Sequence, residues 1–210
     1  MSYLAFSKRL AGYLTGKTGL ATEKRDVLAY IIEVLVINLT NVIAALMLGA
    51  FLGVLRGTVA CLVAATLFRQ TAGGAHSESP WRCAVVTVAV FPALARLAAF
   101  LSKYAQTAFI DILAAVAVAA GFLTVILLAP VDSPNAPVLS PFRRKKLKVL
   151  SLAVFMIISA AAIILRRSDW VYAPEISVCL VLSVIWVSFM LSGPGHRAMR
   201  FIDEIKIGRR

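Results

Sequence analysis

His76 and Cys83 are the residues of this sequence with the clearest chemistry: an imidazole and a thiol seven positions apart in the polar stretch from Arg69 to Cys83. A cysteine attacks carbonyls as the thiolate, and a nearby imidazole can take the proton. On one straight helix, seven residues rise about 10 Å, too far for a hydrogen bond. The residues between them break that helix. Gly73-Gly74 permits backbone angles closed to other residues and ends a helix. Ser79-Pro80 starts a new one, with serine at the N-cap and proline at the first helical position. Cys83 then falls in the first turn, where the partial positive charge of a helix N-terminus favours a thiolate. The spacing is compatible with a dyad and equally with two structural side chains.

Other chemistries find little support. His196 is the second of only two histidines, and His76 with Cys83 supplies two of the three or four ligands zinc needs, so no metal is expected. The sequence has no G-x-S-x-G, H-E-x-x-H, Walker or EF-hand pattern, and no cofactor is implied. Cys61 and Cys179 sit inside apolar runs as small packing residues, and three scattered cysteines do not make a disulfide framework.

The elements that must position the loop are membrane spans. The chain has 210 residues and is 60% hydrophobic, more apolar than a soluble domain of this size can hide. The apolar residues form runs close to the roughly 20 needed to cross a bilayer. Six spans are expected, near Ala29–Leu52, Leu55–Phe68, Cys83–Leu101, Phe109–Ala129, Val149–Leu165 and Ala173–Leu191, the second being the shortest. The fold class is therefore an all-α polytopic transmembrane bundle, and residues 1–210 form a single integral membrane domain. Residues 1–27, with Leu4, Leu10, Leu14 and Leu20 among basic residues, read as an amphipathic interfacial helix without a cleavable signal peptide. Residues 69–82 form the candidate catalytic loop. Residues 130–148 read as a Pro-rich and then basic loop.

Charge sets the expected orientation. Net charge is +12, with 22 Lys and Arg against 10 Asp and Glu. Six spans with a cytoplasmic N-terminus place all but Arg56, Arg96, Lys103, Arg166 and Arg167 of those cations in cytoplasmic segments, together with the His76 loop and both termini. Such cations meet anionic lipid, so nucleic acid is not an expected partner. Glu33, Asn38 and Asn41 fall in or near the first span, on roughly one helical face that should look into the protein. Hydrogen bonding between helices and a role facing substrate are equally open for them.

The pattern Arg69, four residues, Gly74-Ala75-His76, six residues, Cys83 resembles the signature of the accessory gene regulator B (AgrB) family, membrane cysteine endopeptidases of Gram-positive bacteria. The resemblance extends over most of the chain. It takes in the basic N-terminus, a polar position in the first span, and the stretch Ala129-Pro130 to Pro137 followed by Arg143-Arg144-Lys145-Lys146. It implies that His76 and Cys83 are the catalytic pair, with Arg69 and Gly74 as supporting residues. Glu33 is the implied group orienting His76, with Glu78 as a rival. The implied substrate is a short amphipathic AgrD-like propeptide. Cys83 would cleave it through a thioester, and an internal Cys or Ser would close a thiolactone or lactone, the precursor of a quorum-sensing signal. The basic run Arg143 to Lys146 could hold an acidic part of that peptide or serve only as a cytoplasmic anchor. A homodimer is also implied. Ser77, Glu78 and Arg82 are candidates for tuning substrate choice. The competing readings are a peptide transporter and a membrane scaffold, in which His76 and Cys83 are structural; the weak signs of internal repeats and interrupted helices disfavour the former.

Overall fold

The computed structural model describes residues 5–18, 22–75, 77, 79–131 and 140–205. Among these, every regular element is a helix: α1 (Ala5–Thr18), α2 (Thr22–Phe51), α3 (Leu55–Ala72), α4 (Pro80–Tyr104), α5 (Thr107–Leu128), α6 (Pro141–Arg166), α7 (Ala173–Leu191) and α8 (Gly193–Glu204). The chain divides into two compact units, Met1–Ala44 and Ala45–Arg210, each with its own packing.

In the first unit, α1 turns Ser7, Ala11 and Thr15 inward, one residue every four, while Phe6 and Tyr13 stand exposed. The helix expected at the N-terminus is present. Its inward line is made of small residues, and its large side chains face out, where a bilayer surface could take them up. It ends at Thr18, earlier than the expected limit at residue 27, because α2 begins at Thr22 and carries Lys24, Arg25 and Asp26 in its own first turns. On α2, Ala29, Glu33 and Ile37 are buried along one line. Asn38 departs from expectation: it is exposed. At 100° per residue it sits roughly 140° round the helix from Glu33, so Ile37, not Asn38, continues that face.

The second unit is built around α7, which packs against α3, α4, α5, α6 and α8. Its sequence is apolar on all sides, which suits a central helix. Beyond Glu175 in its first turn, the exceptions are small hydroxyls that find backbone acceptors. Ser177 donates to Ala162 C=O on α6 at 2.8 Å, and Ser183 to Cys179 C=O of its own helix at 2.8 Å. Close approach is bought with glycine: a Cβ on Gly121 of α5 would lie 2.6 Å from Val184 Cγ1 and 2.9 Å from Phe155 Cε2. One core gathers Phe68, Ala117, Phe155 and Val184, and a second gathers Cys61, Phe91, Ala95 and Val178. Outside, Val85, Leu127, Ile157 and Ile164 are exposed, as lipid contact requires.

Among the described residues, five helices are long and apolar enough to cross a membrane: α2 from Lys24, α4, α5, α6 and α7. The sixth expected span, α3, falls outside that set because arginines stand near both ends of its 18 residues. Its packing nevertheless follows α7 from end to end. Arg56 near its start lies 3.9 Å over the ring of Tyr172, just before α7. Just after its end, the Ala75 N–H donates to Met190 C=O in the last turn of α7 at 2.8 Å. Its exposed side chains Leu55, Val59, Val63 and Leu67 recur every four residues as a lipid-facing stripe.

Two further findings differ from the sequence reading. The basic run Arg143–Lys146 is not loop but the first turns of α6, which starts at Pro141 after Ser140 in the N-cap position. The rise of 26 helical residues is about 39 Å, more than a bilayer core, so these turns can stand clear of the apolar layer. The short helix α8, unforeseen, starts one residue after α7 ends and buries Met199 against the bundle.

Candidate active site

The loop between α3 and α4 is made by its glycines. Gly73 has φ +74° and Gly74 φ +125°, angles that L side chains rarely adopt. Gly73 also forms an isolated bridge with Val131, and a Cβ there would collide with the Val131 carbonyl oxygen. The Val131 N–H in turn donates to Ala72 C=O at 2.9 Å. Together with the Ala75 to Met190 bond, this ties the loop to the segment after α5 and to the end of α7.

Ser79 and Pro80 open α4 in the expected positions, N-cap and first helical residue. The Ser79 side chain makes no capping hydrogen bond; its carbonyl accepts from the N–H groups of Arg82 (3.1 Å) and Cys83 (3.2 Å). Cys83 thus sits in the first turn, half-buried. Arg69, exposed in the last turn of α3, donates from Nη2 to Cys83 Sγ at 3.3 Å. A guanidinium at this distance stabilises a thiolate by a charge-assisted bond. Beside the sulfur is a small cavity of about 60 Å³, with Val86, Val90, Phe91, Trp186 and Met199 on its apolar walls and Gly73, Gly74 and Arg69 at its polar edge.

The structure therefore brings Arg69, Gly74 and Cys83 together. His76 and Glu78 lie outside the described residues. Glu33 belongs to the first unit and is buried there. Arg143, Arg144, Lys145 and Lys146 are exposed on α6. No group of three or more His, Cys, Asp or Glu side chains that could hold a metal occurs among the described residues.

One neighbour of the loop escaped the sequence reading. Asp203, near the end of α8, accepts a hydrogen bond from Ser77 Oγ and pairs with Arg82, whose Nη1 lies 3.5 Å from Asp203 Oδ1. Arg82 also donates to the carbonyls of Asp203 and of Ile205, the latter at 2.7 Å. The acidic pair Asp203-Glu204 in an otherwise basic tail was the hint in the sequence.

The family model for accessory gene regulator B matches residues 7–191. The chain belongs to the AgrB family. It is similar to "Putative AgrB-like protein 2" of Clostridium perfringens (strain 13 / Type A), 26% identical over 206 residues, which cover 94% of this chain and 95% of that protein. It is similar also to "Putative AgrB-like protein" of Clostridium perfringens (strain SM101 / Type A), 24% identical over the same shares. No solved structure matches. Arg69, Gly74 and Cys83 lie within the AgrB match, whereas α8, with Asp203, lies beyond its end.

Proposed function

We propose that this AgrB family member is a membrane-embedded cysteine endopeptidase that cleaves the C-terminal part of a short AgrD-like propeptide and promotes its cyclisation. The observation that carries the reading is the contact of Arg69 Nη2 with Cys83 Sγ, in a first helical turn, beside an apolar cavity. A thiol held this way suits a nucleophile better than a packing residue, and Cys61 and Cys179, fully buried, show the contrast.

In the proposed reaction His76 takes the thiol proton and Cys83 Sγ attacks a backbone carbonyl. The C–N bond breaks, the proton passes from His76 to the leaving amine, and a thioester joins Cys83 to the N-terminal fragment. An internal Cys or Ser of that fragment then attacks the thioester carbonyl. This releases Cys83 and closes a thiolactone or lactone. Backbone N–H groups at the start of α4 are the candidates for supporting the oxyanion. The reaction needs no metal or other cofactor. The enzyme acts as a homodimer, as the family resemblance implies, and the positions of its cations support a cytoplasmic side for both termini and the loop.

The test is co-expression with a candidate AgrD-like propeptide and mass spectrometry of the products. A shortened, cyclised peptide with the wild type, absent with Cys83→Ala and His76→Ala, is the expected result. Unchanged processing by a folded Cys83→Ala protein would overturn the protease reading in favour of a transporter or scaffold.

A further inference from the structure

The two ends of the loop segment that carries the chemistry are gripped by one acidic side chain from the far end of the sequence. Ser77 follows His76, and Arg82 precedes Cys83; both bind Asp203. Ser77 is engaged twice, since its Oγ donates to Asp203 and accepts from the Ser79 N–H at 3.1 Å. Arg82 fixes the same helix end through the carbonyls of Asp203 and Ile205. The side chains of Arg82 and Asp203 are 23% and 17% exposed, sheltered enough for the pair to hold geometry better than a solvated surface pair. On the other side of His76, the Ala75 N–H donates to the Met190 carbonyl in the last turn of α7, the helix that leads into α8. The stretch from the end of α7 through α8 therefore holds the loop before His76, after His76 and before Cys83.

We propose that Asp203 is a positioning residue: from the C-terminal helix α8 it holds Ser77 and Arg82, the sequence neighbours of His76 and Cys83. This rests on the dyad reading of the proposed function. Asp203 touches neither reacting atom. It fixes the neighbours of both, and a dyad loses its proton transfer when its members drift by about 1 Å.

The experiment measures alkylation of Cys83 by iodoacetamide against pH, using the full-length protein in detergent with Cys61 and Cys179 replaced by alanine. It needs no substrate. Wild type is compared with His76→Ala, Asp203→Asn, Asp203→Glu and Ser77→Ala, each checked for a monodisperse folded state. The expected result is that Asp203→Asn moves the pH profile upward, towards that of His76→Ala, and slows alkylation at neutral pH by roughly threefold or more. Asp203→Glu restores most of the rate, which a loss of fold would not allow. Ser77→Ala, which leaves the Arg82 pair intact and serves should Asp203→Asn fail to fold, gives a smaller shift in the same direction. If wild type and His76→Ala differ but the Asp203 and Ser77 variants follow wild type, the positioning role is overturned while the dyad stands. If wild type and His76→Ala coincide, the dyad itself is overturned, and this role with it.

Discussion

The guanidinium of Arg69, in the last turn of α3, meets the thiol of Cys83, in the first turn of α4, with Nη2 3.3 Å from Sγ. Two helix ends of opposite polarity come together there, and the basic residue complements the C-terminal end of its own helix. A hydrogen bond to a charged group contributes about 1.5–3 kcal/mol. Arg69→Gln should therefore slow peptide cleavage by roughly 10- to 100-fold with little change in protein yield. Arg69→Lys, which keeps the charge and loses the planar fork, should fall between. Single-turnover kinetics with a cleaved peptide measures both. A Gln variant as fast as wild type would remove Arg69 from the site.

The glycines of the loop make a second prediction, with an order in it. Gly73→Ala should be worse than Gly74→Ala. Both positions have φ well into the positive range, costing about 1–3 kcal/mol for another residue. At Gly73 a Cβ also meets the Val131 carbonyl, whereas at Gly74 its nearest neighbour is Met190 O at 3.5 Å, an ordinary contact. Gly73→Ala should break the tie to Val131 and abolish processing while the bundle still inserts and remains folded. Thermal melting together with product analysis reads this, and equal losses at both glycines would contradict the packing at Val131.

Packing of α5 on α7 is tested at Gly121. A valine there must displace Val184 or Phe155, both buried in the core. Overpacking of this kind costs about 1–3 kcal/mol. Gly121→Val should lower the midpoint of thermal denaturation in detergent, and the fraction that remains folded should still alkylate Cys83 at the wild-type rate. A slowed Cys83 in fully folded protein would mean that the α5–α7 contact reaches the active loop.

How far the sequence could be read follows from which interactions are local. The span positions come from runs of apolar residues, and the helix break around Ser79-Pro80 from residues adjacent in sequence, so both were legible. Arg69, Gly74 and Cys83 could be marked as a set only through the family pattern, since an arginine 14 residues from a cysteine carries no signal of contact by itself. The face of α2 was misread at Asn38 because spacing was judged from Asn41 rather than from Glu33. The basic run in the first turns of α6 was read as loop because the prolines ahead of it end abruptly at Pro141, which starts the helix instead of preventing it. The Asp203 contacts join residues more than 120 positions apart, and nothing local announces them.

The course of α3 sets the parity of the fold and can be read by chemical labelling. If α3 crosses with α7, Leu52→Cys before α3 and Ser168→Cys before α7 share one side, and Ser192→Cys after α7 takes the other. In a background with the three native cysteines replaced by alanine, a membrane-impermeant maleimide should label the first two in intact cells. Ser192→Cys should label only after lysis. Labelling of Leu52→Cys only after lysis, alongside Ser168→Cys in intact cells, would show that α3 dips and returns.

The first turns of α6 separate two explanations of a basic cluster. Arg143, Arg144, Lys145 and Lys146 are exposed and stand at the end of a helix longer than a bilayer core. If they hold an acidic part of the propeptide, changing Arg144 and Lys145 to glutamine should raise KM several-fold, leave kcat unchanged, and flatten the dependence of KM on salt, because the lost interaction is a screened charge contact. If they only anchor the helix on the cytoplasmic side, KM and its salt dependence should stay as they are, and a larger set of substitutions should instead disturb insertion. The salt series is the deciding measurement. Anchoring acts before the peptide arrives, while recognition contributes to every binding event, so only recognition makes KM of the inserted enzyme follow ionic strength.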